Sequence, residues 1–152
     1  MRLKVNIEVA STESGVPKRG AIVQWAQAAM AGYERDGAEL GVRIVDEDEI
    51  VELNRRFRRK AEPTNVLSFP FDDPPGVHTE LLGDVVICAP VVCREARARG
   101  GHTSAYWAHM LVHGIMHLRG YDHQTPIEAD AMESMEAQIL KRLGFPNPYT
   151  RS

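Results

Sequence analysis

The chain has 152 residues, 43% hydrophobic and 26% charged, and its 18 Lys and Arg against 21 Asp and Glu leave a formal charge of -3. That length suits one domain with an ordinary core, and the apolar content excludes wholesale disorder. No apolar run approaches the roughly 20 residues of a membrane span, so no membrane role is expected, and the mild acidity argues against a broad basic face for nucleic acid.

Leu3, Val5, Ile7 and Val9 alternate with polar residues, which predicts a half-buried strand. Pro17 is expected in the first turn of a helix whose Ile22, Trp25, Ala26, Ala29, Met30 and Tyr33 share one face. Leu40, Val42 and Ile44 predict a second strand. Asp46 and Glu49 then resemble a capping box, opening a helix with Ile50, Leu53 and Phe57 as its stripe. Strands are expected over Asn65 to Phe71 and Leu81 to Cys88, separated by the turn-rich Asp72 to Gly76. Ala89-Pro90 opens a short helix that stops at Gly100-Gly101. Thr103 is expected to cap the next helix, ending near Gly120, and Thr125-Pro126 caps a last one that runs to about Leu143. The order reads as α+β, a single domain over residues 1–152 with a mixed sheet of about four strands packed with about five helices. Cys88 and Cys93 are too few for a disulfide framework and read as small buried thiols. A cytoplasmic, reduced protein is expected.

The chemistry concentrates in His113, His117 and His123. Histidines four apart on a helix share a face, and Gly120 can turn the chain so that His123 meets them. Three nitrogens leave one position open on a tetrahedral ion, the arrangement of a catalytic zinc. His109 shares the helical face but lies about 12 Å along the axis from His117, so it is expected beside the site rather than in it. The isolated His78 and His102 read as ordinary surface or core histidines. The spacing also fits metzincin proteases, which carry a Glu general base directly after the first His. Here that residue is Gly114, which demotes proteolysis and suggests room for a substrate to approach the ion.

Arg55-Arg56-Phe57-Arg58-Arg59-Lys60 puts five cations in six residues at the end of a helix with an acidic start. Such a run suits the helix's negative pole and equally suits a phosphodiester substrate. Arg94, Arg97 and Arg99 form a second basic stretch. Pro63 to Pro70 reads as an edge strand, and Asp84 as either a backbone-bonded acid or a neighbour of the site.

Leu53-Asn54, Arg58, Lys60, the run Pro63 to Pro70, Leu82-Gly83-Asp84-Val85-Val86-Ile87 and the run His109 to His123 together resemble the bacterial YbeY family over about residues 40–145. The resemblance implies a metal-dependent endoribonuclease specific for single strands. It further implies a role in ribosomal RNA maturation, notably at the 3′ end of the small-subunit 16S RNA, and in 70S ribosome quality control. Zinc would be held by His113, His117 and His123, with a functional Arg58. On this reading His113 and Arg58 carry catalysis, and Arg55, Arg59, Lys60 and Ser68 contact substrate. The partners implied are single-stranded RNA and the ribosome or its small subunit with its assembly factors. Two rivals stand: a metal-dependent peptidase or other hydrolase, and a non-catalytic ribosome assembly factor whose metal holds the fold.

Overall fold

Alternating apolar residues give the sheet two different faces, and the helices divide between them. The computed structural model describes residues 3–33, 37–58, 64–100 and 102–149, with the side chain of Arg58 outside that description. Its strands are β1 (Lys4–Ala10), β2 (Glu39–Val45), β3 (Val66–Pro70) and β4 (Leu81–Cys88). Its helices are α1 (Arg19–Met30), α2 (Glu47–Arg58), α3 (Ala89–Arg99), α4 (Thr103–Leu118) and α5 (Pro126–Arg142). The strand order is β1-β2-β4-β3. β1 with β2 and β2 with β4 are parallel, whereas β3 runs antiparallel along the β4 edge, so the sheet is mixed.

Leu40, Val42, Ile44, Val85 and Ile87 face a core shared with α1, α4 and α5. The intervening Val45, Leu67, Val86 and Cys88 face a smaller cluster closed by Ile50 of α2 and Val91 of α3. No helix among the described residues is long and apolar enough to cross a membrane.

α4 is the central helix. From Tyr106 to Leu118 all but His113 and His117 are buried, as expected of a helix packed on every side. Burying a side chain such as Ile115 or Leu111 contributes about 1.5–3 kcal/mol. Gly114 lets this helix sit close against the sheet. A Cβ there would lie 2.7 Å from Val85 Cγ1 and 3.2 Å from Ser68 Oγ. The space is therefore filled by the sheet, which corrects the expectation that Gly114 leaves room for substrate.

Three local signals resolve differently from their sequence reading. Pro17 precedes the N-cap of α1, which is Lys18. His102, not Thr103, occupies the N-cap of α4. The Asp46–Glu49 capping box does not form: Asp46 accepts from the Ser11 hydroxyl at 2.5 Å, and Glu49 pairs with Arg43 of β2. A tertiary hydrogen bond and an ion pair together outcompete a cap worth about 1 kcal/mol. The Thr125 cap of α5 does form, accepting from the Glu128 amide at 3.1 Å.

Candidate metal centre

α4 presents His113 and His117 one turn apart on its half-buried face, and Gly120 at φ 99° reverses the chain behind them. The reversal returns His123 to within 5.2 Å of His117 and 5.8 Å of His113, measured between ring centroids. One nitrogen from each ring lies within 4.8 Å of the others, a grouping that can hold a metal ion.

The hydrogen bonds fix which nitrogens are free. His113 Nδ1 donates to Glu136 Oε2 at 2.8 Å, and His117 Nδ1 donates to the Tyr121 carbonyl at 3.2 Å. Each ring thus commits Nδ1 to that acceptor and turns its Nε2 toward the other, 3.3 Å away. Tetrahedral bonds of roughly 2.0–2.1 Å would separate two nitrogens by about 3.3–3.4 Å, so this pair already has the spacing that zinc requires. Burial, with the neighbouring His113 and His123 adding like charge, pushes the His117 pKa below its usual value and favours the neutral, ligating form.

Glu136 of α5 is the centre of the supporting layer. Its side chain is fully buried, and it accepts from His113, from His109 Nε2 at 3.0 Å and from the Tyr149 hydroxyl. Burial alone would raise its pKa, but the hydrogen bonds from His109, His113 and Tyr149 outweigh that and hold it at about 2. Burial, followed by the Glu136 charge, raises the Tyr149 phenol in turn. A carboxylate behind a ligating histidine orients the ring and increases its basicity. His109 therefore lies behind the site, as its distance along the helix predicted. Neither Glu136 nor Tyr149 stood out in the sequence. The readable signal for Glu136 was its place on the apolar stripe Met132, Ile139 and Leu140 of α5.

The histidines open into a cleft of about 900 Å³ walled by Phe57, the β3 segment Asn65 to Pro70, and Gly120 to Gln124. Ser68 lies in that wall, where its hydroxyl donates to the Gly114 carbonyl at 2.9 Å and ties β3 to α4. Arg55 is exposed on α2 and paired with Glu52 at 2.6 Å, away from the cleft lining. The Arg58 side chain and the whole of Arg59 and Lys60 lie outside the described residues. Arg94 pairs with Glu47 and Arg99 stacks on Tyr106, and neither borders the cleft. Asp84 faces the opposite side of the sheet from Val85, above Gly41 in a second groove, which settles its position away from the histidines.

Fold and site together define a single-domain α+β protein built around a three-histidine centre in an open cleft. The family model described as endoribonuclease YbeY matches residues 6–144. A protein named endoribonuclease YbeY from Methylococcus capsulatus is 52% identical over 147 residues, covering 97% of this chain and 95% of that one. Its namesake from Nitrosococcus oceani is 45% identical over 151 residues, covering 98% of each. A solution structure from Thermotoga maritima shares the fold at a TM-score of 0.56 and 23% identity, covering 95% of this chain and 99% of that one. The chain belongs to the YbeY endoribonuclease family.

Proposed function

We propose that this chain is a zinc-dependent endoribonuclease that cuts single-stranded RNA in maturing the 3′ end of small-subunit 16S ribosomal RNA and in 70S ribosome quality control. In this reading it works in the cytoplasm on the ribosome or its small subunit. The observation that carries it is the pair of imidazole Nε2 atoms at 3.3 Å, opening with His123 into a cleft within a chain of this family.

His113, His117 and His123 would hold the cation, which when bound supplies Lewis acidity toward a phosphoryl oxygen. Glu136 holds the His113 ring with its donor side turned away from the cleft, and the Tyr121 carbonyl does the same for His117. Arg58 would neutralise charge growing on the phosphorus centre, with Arg59, Lys60 and Ser68 contacting the strand, while Arg55, held by Glu52 outside the cleft lining, would meet it only beyond the cleft. A stiff duplex cannot lower a scissile phosphate between α4 and the β3 edge, whereas a flexible strand can. Glu136 is consumed in bonding His109, His113 and Tyr149 on the far side of the ring, so it does not replace the general base that a metzincin peptidase needs.

The test is cleavage of single-stranded RNA, duplex RNA and a peptide mixture by metal-quantified protein beside His117→Ala and Arg58→Ala. Loss of single-strand cleavage in both variants is expected. Unchanged RNA cleavage in both removes the site assignment, and peptide cleavage lost with His117→Ala would favour the peptidase. The net charge of -3 keeps a second reading open, an assembly factor relying on protein contacts. Binding to ribosomal particles by folded, metal-loaded protein that cuts nothing would favour it.

A further inference from the structure

We propose that the Phe57 ring, backed by Phe69, is a stacking platform for one unpaired nucleobase beside the histidine centre. The proposal rests on the RNA-cleaving reading and names how that site distinguishes a single strand.

Phe57 completes the apolar stripe of α2, yet burial falls along it. Ile50 is fully buried and Leu53 half-buried, while Phe57 is 59% exposed, more than any other Phe, Tyr or Trp among the described residues. It belongs to neither core cluster, so folding does not account for an aromatic residue here. The ring is nonetheless held. Phe69 of β3 meets it at 5.2 Å with 67° between the planes, and Phe69 is itself packed on the smaller core. A ring held by an edge-to-face neighbour and still more than half exposed suits a flat, apolar ligand.

Position and charge select the ligand. Phe57 and Phe69 wall the same cleft as His113, His117 and His123. Of the two cations described beside it, Arg55 is bound to Glu52. Arg56 makes no ion pair among the described residues, and its guanidinium lies over the Phe57 ring, 5.6 Å from the centroid. A ring 59% exposed, with a flexible guanidinium over it that a base can displace toward its own phosphate, matches a nucleotide, the pairing by which proteins hold single strands. In a duplex both faces of every base are already stacked, so the platform is useless to it.

The expected result for Phe57→Ala is about a tenfold rise in KM for single-stranded RNA with kcat nearly unchanged, and rescue by Phe57→Tyr. Cleavage of duplex should not change. An abasic residue at one fixed place relative to the cut should cost wild type the same factor and cost Phe57→Ala nothing more. In Phe57→Trp, single-stranded RNA should quench the new indole, since Trp25 and Trp107 are only 5% and 1% exposed. Independent, multiplying losses, or RNA bound without quenching, would overturn the platform while wild-type cleavage keeps the parent reading intact. An effect of Phe57→Ala confined to binding a protein partner would overturn it too. If wild type neither binds nor cuts RNA, both fall together.

Discussion

His113 and His117 reach the candidate metal centre from α4, the helix buried over most of its length, whereas His123 reaches it from an exposed turn. The first two have their outer nitrogens committed to Glu136 and Tyr121, while among the described residues the His123 ring makes no hydrogen bond. Two of the three histidines are thus built onto the central helix, and one is carried on a loop that a glycine turns inward. Preorganised ligands set affinity through stability, and a loop ligand can adjust without straining the fold.

The sharpest way to break this comparison is to delete one ligand of each kind. His117→Ala and His123→Ala should each weaken zinc binding by well over the roughly 100-fold upper range for lost supporting contacts, read by chelator competition. Melting of the metal-free proteins should then separate them: His123→Ala is expected within about 0.5 kcal/mol of wild type, as for other exposed positions. Equal destabilisation of both would dissolve the distinction. Next comes the support itself. Glu136→Gln should weaken zinc about 10–100-fold with His113 still present. Glu136→Ala, which strands His109 and the Tyr149 hydroxyl, should lower metal-free stability by about 3 kcal/mol in denaturant melts.

Gly114→Ala tests the packing under the two helical histidines. Its methyl must displace Val85, so a loss of about 1–3 kcal/mol is expected, some 3–10 °C in Tm. A stabilised Gly114→Ala would mean that α4 is not seated as described. The smallest effect belongs to Tyr149→Phe, which removes one of three donors from Glu136. About 1 kcal/mol and a few-fold loss of zinc affinity are expected, by the same melts and titrations.

Periodicity made much of this legible. Alternation marked β1 and β2, an apolar run after a turn-rich segment marked β4, and i, i+4 histidines before a glycine marked three of the residues that converge. What stayed hidden depends on elements distant in the chain. Glu136 lies 23 residues from His113, and its role exists only once α5 packs on α4, although an acid on an apolar stripe was visible. Tyr149 comes from an irregular tail with no period to read. The Asp46–Glu49 motif was misleading because Arg43 and Ser11, brought close by the sheet, offered stronger partners than the local backbone. Asp84 could have been placed by parity, since strand residues on either side of an inward Val85 must point outward.

The buried carboxylate of α5 also imposes an order in time. A ribosome delivers α4 and the Gly120 turn before it delivers Glu136 and Tyr149. All three imidazoles therefore exist on the nascent chain while one still lacks the acceptor that aims it. Full affinity for a cation would arrive only as α5 docks on α4, so tight loading would report that this packing has formed.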